Sequence, residues 1–316
     1  DALLYDTVKA VSDMALEMGI AIPVGKDSLS MNTIWSEDNV QQQVISPLSV
    51  NITAFAPVAD TRLSLTPQLE NDEHSCLLLI DLSNAHQRLG GSCLAQVFNQ
   101  TNGHTADLED TGKLIAFFKA IQILNETGYI LAYHDRSDGG VFVTLCEMSF
   151  ASRVGVSIKL NSENLIAALF NEEPGVVIQI KRKDISTVVN TFENAGLNSS
   201  DIIEIAELNN DSLITISENE KVVYSQDLIY LHQLWSATSF CMQSIRDNPR
   251  CAEEEFARLQ DNKDPDLHLS ANFDIIDSEN APYVNSGAKP RIAILREQGI
   301  NGQVEMAAAF DRAGFE

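Results

Sequence analysis

Basic residues are scarce in this 316-residue sequence. Lysine and arginine number 21 against 45 aspartate and glutamate residues, which gives a formal charge of −24. An acidic surface repels the phosphates of nucleic acid, so we expect no nucleic-acid partner. The acidity does not exclude a small phosphate-containing ligand, because Mg²⁺, helix N-termini and a few lysines can hold one.

Several chemical motifs are also missing. The five cysteines are odd in number and form no CxxC pair, and the sequence has no HExxH or GxSxG motif. Zinc sites and serine hydrolases are therefore disfavoured, and the cysteines are typical of a reducing compartment. No apolar run reaches about 18 residues and no charged-then-apolar leader is present, so we expect a cytoplasmic chain with no membrane partner.

Hydrophobic spacing predicts a mixed fold, α+β or α/β, in which helices and strands alternate before a final antiparallel-looking pair. The predicted helices cover residues 5–18, 93–97, 114–124, 141–151, 163–170, 184–195, 230–246, 252–259 and 304–313. The predicted strands cover residues 20–24, 48–55, 76–82, 129–132, 156–160, 176–180, 202–206, 213–216, 221–224 and 291–295. The polar segment 261–289 is interpreted as a linker.

The strongest candidate site is the sequence HDRSDGG at residues 134–140, between a predicted strand and a predicted helix. Ligands of open α/β folds bind at such strand ends. The carboxylates of Asp135 and Asp138 are hard oxygen ligands of the kind that Mg²⁺ prefers, and the Ser137 hydroxyl could contact a nucleotide.

The glycines of this motif have two interpretations. The amides of Gly139 and Gly140 could approach an anion at the helix N-terminus. Alternatively, Asp138 is only a helix N-cap and the glycines only form a tight turn. We interpret His134 as a packed, hydrogen-bonded histidine without a catalytic role.

Three further segments have weaker signals. In GKDS (residues 25–28), Lys26 could contact a phosphate. The segment lacks the upstream glycine of a Walker A loop, however, and by itself is better explained as an exposed turn. Gly90-Gly91-Ser92 could surround a phosphate or be a plain turn with a serine cap. The acids of Glu172-Glu173-Pro174-Gly175 are interpreted as solvated turn residues.

Six blocks, in this order, resemble the large single-chain bacterial phosphoribosylformylglycinamidine synthase family. They are AIPVGKDSLSMNT (21–33), SPLSVNITAFAPVAD (46–60), AYHDRSDGGVFVTLCEMSFA (132–151), ALFNEEPGVVIQI (168–180), MQSIRDNPRCAEEE (242–255) and KPRIAILREQGINGQVEMAAAFDRAGF (289–315). The resemblance runs through essentially the whole sequence.

The resemblance implies a domain order. Residues 1–69 would end the ferredoxin-like part of a second copy of the aminoimidazole ribonucleotide synthetase fold, and residues 70–228 would be its α/β domain. Residues 229–288 would be a helical segment and linker, and residues 289–316 the first βα unit of a class I glutaminase domain. The sequence would then be an internal piece, with the rest of the same polypeptide as its partner.

The resemblance also implies a function. The family uses ATP and glutamine to convert formylglycinamide ribonucleotide into the amidine, with Mg²⁺ and ATP/ADP as cofactors. Asp135 resembles a metal ligand of the family and Ser137 a nucleotide contact, whereas Lys26, Gly139 and Gly140 are weaker candidates. The glutaminase cysteine, histidine and glutamate would lie beyond residue 316, so we expect no catalytic residue here and no activity of this segment alone.

Two alternatives stay open. The segment could be a nucleotide-holding structural module of the same enzyme that never turns over. It could also come from a related synthetase of the same fold, such as aminoimidazole ribonucleotide synthetase. The glutaminase-like opening Arg296-Glu297-Gln298-Gly299 argues against the second alternative, because those relatives lack that domain.

Overall fold

The computed structural model describes residues 2–26, 31–261, 270–272, 286–297 and 302–316. The chain divides into two compact units, Asp1–Asn262 and Lys263–Glu316, which are described separately below. Parts of three sequence predictions lie outside the described residues: Asp27 and Ser28 of the GKDS segment, most of the predicted linker, and the end of the glutaminase-like opening.

The chain begins with helix α1 (Ala2–Met18), followed by a hairpin of strands β1 (Asn32–Glu37) and β2 (Val40–Ile45). Asp38 and Asn39 connect the strands with φ angles of 51° and 61°, which suits a two-residue hairpin loop. The predicted strands at 20–24 and 48–55 are wrong, because both segments are irregular in the structure. An apolar run forms a strand only where another strand accepts its backbone hydrogen bonds. In this region the turn at Asp38 and Asn39 determines which segments pair, and it pairs β1 with β2.

A seven-stranded sheet forms the centre of the first unit, with strand order β4-β6-β3-β7-β5-β8-β9. Neighbouring strands are antiparallel except for the parallel pair β5 and β8. The alternation of helices and strands therefore does not produce a parallel sheet here. The strand bounds are β3 (Ser75–Asp81), β4 (Ile130–Asp135), β5 (Gly155–Leu160), β6 (Gly175–Lys181), β7 (Ile202–Asn209), β8 (Leu213–Glu218) and β9 (Lys221–Asp227).

Helices cover both faces of this sheet. They are α2 (Cys93–Val97), α3 (Thr111–Glu126), α4 (Gly140–Ser152), α5 (Leu165–Phe170), α6 (Ile185–Ala195), α7 (Leu228–Arg246) and α8 (Pro249–Arg258). Along β3, alternate side chains such as Leu78 and Leu77 enter two different cores, one formed with α3 and α6 and the other with α4, α5 and α7. A strand buried on both faces needs apolar residues at every position, which explains the continuous apolar run at its sequence.

The second unit contains helix α9 (Gln303–Arg312) within its described residues. Residues 291–295 do not form the predicted strand. Instead, the amide of Ile292 donates to the Glu316 carbonyl at 2.9 Å and the Glu316 amide donates to the Pro290 carbonyl at 2.9 Å. These two bonds have the pattern of a parallel pairing, but a single paired residue is too little for a strand. Among the described helices of the chain, none is long and apolar enough to cross a membrane.

The core that contains Phe192 offers a test of the fold. Phe192 is fully buried and stacks on Phe117 with 6.4 Å between ring centroids, whereas Phe118 is 44% exposed. We expect Phe192→Ala to lower the free energy of unfolding by about 3–5 kcal/mol, because it removes transfer energy and leaves a cavity. Phe118→Ala should cost about 0.5 kcal/mol or less. Equal losses in urea denaturation of the two variants would contradict this packing.

Candidate functional site

The HDRSDGG motif leaves the sheet at its edge strand and enters a helix. Asp135 is the last residue of β4, paired with Val176, and α4 begins at Gly140. The side chains of Asp135, Ser137 and Asp138 are exposed, so this turn presents two carboxylates and one hydroxyl to solvent. Because β4 lies at the end of the sheet order, no neighbouring strand covers its outer side among the described residues.

Within the part of the chain that the structure describes, the carboxylate of Asp135 has one hydrogen-bond partner. The Tyr133 hydroxyl donates to its Oδ1 at 2.8 Å, across the same side of the strand. Burial raises the pKa of Tyr133, and the hydrogen bond to Asp135 raises it further. The tyrosine therefore stays protonated at neutral pH and donates, which orients Asp135 and leaves its Oδ2 available to a hard cation.

The two glycines of the motif form the turn, with φ angles of +83° at Gly139 and +68° at Gly140. A Cβ at Gly140 would lie 2.6 Å from the Leu169 carbonyl oxygen. The N-cap residue of α4 is Gly139, with no side-chain cap, so the interpretation of Asp138 as the N-cap is wrong.

The amides of these glycines already donate within the protein. The Gly139 amide donates to Glu172 Oε1 at 2.8 Å, and the Gly140 amide donates to the Ser137 carbonyl at 2.9 Å. An anion could use these amides only by displacing those acceptors. The assignment of Gly139 and Gly140 to a nucleotide therefore stays a prediction.

The turn Gly90-Gly91-Ser92 leads to a second hydrogen bond with the Glu172 carboxylate. Ser92 is the N-cap of α2 and accepts from the Ala95 amide, as the serine-cap interpretation predicts. The next amide, that of Cys93, donates to Glu172 Oε1 at 2.9 Å. One internal carboxylate oxygen thus joins the two glycine turns that sequence analysis treated as separate phosphate candidates.

Ligand atoms of Cys93, Asp138 and Glu172 lie within 4.8 Å of one another, a cluster that sequence analysis missed. The three residues come from segments far apart in the chain, and only the fold brings them together. Burial raises the pKa of the Cys93 thiol, and the Glu172 carboxylate raises it further. Without a metal, the thiol therefore keeps its proton at neutral pH.

Glu173, interpreted from the sequence as solvated, is instead fully buried. Its Oε1 accepts from Arg88 Nε at 2.6 Å and from the Arg88 amide at 3.0 Å, and its Oε2 accepts from Nη2 at 2.8 Å. Burial alone would raise the pKa of the Glu173 carboxyl, but the bonds and charge of Arg88 outweigh burial and lower it. Glu173 can be buried because Arg88 pairs with it, since an isolated buried carboxylate would be strongly destabilising.

The arginine of the motif is also structural. Arg136 is buried, and its Nε donates to the Glu173 carbonyl at 2.6 Å while Nη2 donates to Asp81 at 2.8 Å and to the Pro174 carbonyl at 2.9 Å. A Cβ at Gly175 would lie 3.0 Å from Nη2. The turn at residues 172–175 and the HDRSDGG motif are therefore packed directly against each other.

His134 is half-buried and hydrogen-bonded on both ring nitrogens, in keeping with the packed role expected for it. Its Nε2 lies 2.9 Å from Glu147 Oε2 and its Nδ1 lies 2.8 Å from the Asp135 carbonyl. Glu147 also accepts from Trp235 Nε1 at 2.9 Å, which connects β4 and α4 to α7. The hydrogen bond to Glu147 raises the pKa of His134 despite an opposing effect of burial.

Lys26 is exposed in the irregular segment after α1. An open cavity of about 470 Å³ lies elsewhere, at the start of β3 and the end of β6, and is lined by Asp72, Glu73, His74, Lys181, Arg182 and Lys183. The antiparallel register puts this cavity at the opposite end of the sheet from Asp135. The cavity is therefore separate from the candidate site.

Three family models match the chain in succession. An FGAR-AT PurM_N-like domain matches residues 1–57, an AIR synthase related protein C-terminal domain matches residues 74–216, and a CobB/CobQ-like glutamine amidotransferase domain matches residues 289–316. This order of domains is that of the family recognised in the sequence. The chain belongs to the phosphoribosylformylglycinamidine synthase family.

Solved structures similar to this family member include two of PurL from Thermotoga maritima. The complex with ATP is 11% identical with a TM-score of 0.43, and the match covers 53% of this chain and 27% of that chain. The complex with ADP is 10% identical with a TM-score of 0.41, and the match covers 80% and 34%. HypE from E. coli, a hydrogenase maturation protein, is 18% identical with a TM-score of 0.37 and covers 52% of each chain. The chain thus spans about a third or less of those PurL chains.

The buried pair of Glu173 and Arg88 predicts a large effect of charge removal. We expect Glu173→Gln to lower the free energy of unfolding by about 1–3 kcal/mol, because it weakens the buried hydrogen bonds from Arg88, which keeps its ion pair with Glu109 at 2.9 Å. The double variant Arg88→Met/Glu173→Gln should recover part of this loss. In the exposed pair of Arg250 and Glu254, Glu254→Gln should change stability by about 0.5 kcal/mol or less. A small loss at Glu173 in urea denaturation would contradict the pairing.

The raised pKa of His134 predicts a pH dependence. A raised folded pKa means that the ion pair with Glu147 contributes fully below the unfolded value of about 6.5 and is lost as pH rises through the folded pKa. We expect the melting temperature of the wild type to fall more between about pH 6 and pH 9 than that of His134→Gln. His74→Gln, at an exposed histidine, is the control. Parallel curves for wild type and His134→Gln would show that the pair contributes nothing.

Proposed function

We propose that this chain is part of an ATP-dependent carbon–nitrogen ligase that takes its nitrogen from glutamine. The reaction proposed is that of its family: formylglycinamide ribonucleotide, ATP, glutamine and water give formylglycinamidine ribonucleotide, ADP, phosphate and glutamate. The observation that carries this proposal is the succession of the three matched domains, with the HDRSDGG turn inside the second. The domain bounds at 69, 228 and 288 and the cytoplasmic location stay predictions.

Within this function, Asp135 is the proposed metal ligand and Ser137 the proposed nucleotide contact. Both are exposed on one turn at the end of an edge strand, and the Tyr133 hydroxyl orients the carboxylate. Their oxygens suit Mg²⁺, which would neutralise phosphate charge on a bound nucleotide. One carboxylate is an incomplete ligand set for Mg²⁺, so further ligands would have to join it. Lys26, Gly139 and Gly140 are proposed only as weaker contacts.

The two PurL structures are complexes with ATP and with ADP, and we propose a nucleotide ligand for this chain as well. A second candidate function is that the site holds its nucleotide permanently and has a structural role. In favour of this alternative, the glycine amides and Arg136 already donate hydrogen bonds within the protein, so that the turn is held without any reacting partner.

Asp135→Asn in the complete protein distinguishes the two roles. If the nucleotide takes part in turnover, we expect the variant to lose about 10- to 100-fold in ATP-dependent activity with an unchanged melting temperature, because a metal ligand has lost its charge. If the role is structural, the melting temperature should fall while activity per folded molecule is retained. Asp211→Asn removes a charge from the loop at the other end of the sheet and is the matched control. No change in either property would reject Asp135 as a ligand.

A further inference from the structure

Glu172 connects two turns through one oxygen atom. Its Oε1 accepts from the Gly139 amide at 2.8 Å and from the Cys93 amide at 2.9 Å. Glu172 itself follows α5 and precedes β6, so three distant segments of the chain meet at this carboxylate. Hydrogen bonds from amides to an ionised carboxylate are stronger than bonds between neutral groups.

The turn that Glu172 holds has little stiffness of its own. Gly139 and Gly140 are consecutive glycines with positive φ angles, and glycine is free to adopt many other backbone conformations. Ser137 and Asp138 immediately precede them and are exposed, so few contacts of their own restrain these side chains. The conformation of the turn must therefore be fixed by groups outside it.

Two anchors fix the turn from opposite ends. At its start, Arg136 donates to the Glu173 and Pro174 carbonyls. At its end, Glu172 accepts from the Gly139 amide. Both anchors attach to the same segment, residues 172–174, and Ser137 lies between them. Removal of either anchor would free one end of the turn.

We propose that Glu172 is a positioning residue for the nucleotide site, one that holds the turn so that Ser137 and Asp135 face the same ligand. This inference rests on the proposed function, since it concerns the same site. Glu172 acts through the backbone of Gly139 and does not itself contact the ligand. A metal bound by Cys93, Asp138 and Glu172 is a poorer explanation of the cluster, because Glu172 Oε1 already accepts two hydrogen bonds from backbone amides.

The test uses Glu172→Ala and Glu172→Gln in the complete protein. Hydrogen–deuterium exchange read by mass spectrometry on peptides covering residues 133–142 reports MgADP binding at this turn only, even if the protein binds nucleotide elsewhere. We expect the MgADP concentration for half-protection to rise about tenfold in Glu172→Ala, as for other residues that orient ligands. Glu172→Gln keeps a neutral acceptor, so its rise should be smaller. Without nucleotide, exchange at Gly139 and Cys93 should be faster in Glu172→Ala.

Gln179→Ala is the matched control. Gln179 is buried, and its side chain bonds both the amide and the carbonyl of Glu70 at the other end of the sheet. The variant should lower the melting temperature without changing the half-protecting MgADP concentration. A merely structural role of Glu172 would give the same result as this control.

The outcomes separate this inference from the proposed function. If Asp135→Asn weakens MgADP protection while Glu172→Ala binds like the wild type, the positioning role is wrong and the site stands. If the wild type shows no MgADP protection at residues 133–142, the proposed site itself is wrong. A rise in Glu172→Ala that Glu172→Gln partly reverses supports the inference.

Discussion

The buried carboxylate of Glu173 is the constraint on which the candidate site depends. A charge with no exposed surface must be paired, and Arg88 meets it with two nitrogens of its guanidinium group and with its backbone amide. This pairing fixes the turn at residues 172–175 against the segment before α2. With the turn fixed, the Glu173 and Pro174 carbonyls are in place to accept from Arg136. The Glu172 side chain is likewise in place to accept from Gly139. The shape of the HDRSDGG motif is thus determined largely by residues that no ligand would touch.

The sheet explains why this motif is accessible. Its central strands are buried on both faces by two sets of helices, and that burial provides most of the apolar core. Strand β4 lies at one end of the strand order, so the turn that follows it emerges where no further strand covers it among the described residues. The sheet therefore ends in an exposed turn that presents carboxylate and hydroxyl oxygens to solvent. Rigid elements that present polar groups at an edge are well suited to hold a charged ligand in a defined geometry.

Sequence similarity identifies the family, whereas the structure shows that the residues of the HDRSDGG motif have different roles. Arg136 and the glycines build the turn, and His134 connects β4 to α4 and α7 through Glu147. Asp135, Ser137 and Asp138 remain as the exposed side chains, and ligand contacts are proposed for the first two. Matching a motif to a family does not make this division, because every residue of HDRSDGG contributes equally to the match. Burial and hydrogen bonding distinguish the residues that build a site from those that contact a ligand.

The sequence by itself determined the family through its motifs. It also determined the strands β3 to β9 and the helices α1 to α9, because apolar periodicity and glycine turns are local properties. The same local signals misplaced the strands at 20–24, 48–55 and 291–295 and did not predict the hairpin of β1 and β2, since strand pairing depends on a partner. Only the tertiary structure decided that Glu173 is buried and that Glu172 joins two glycine turns. The two acids are adjacent in a polar turn and look alike in the sequence. Their partners, Arg88, Cys93 and Gly139, lie far away along the chain, and only the packing of the sheet edge brings them together.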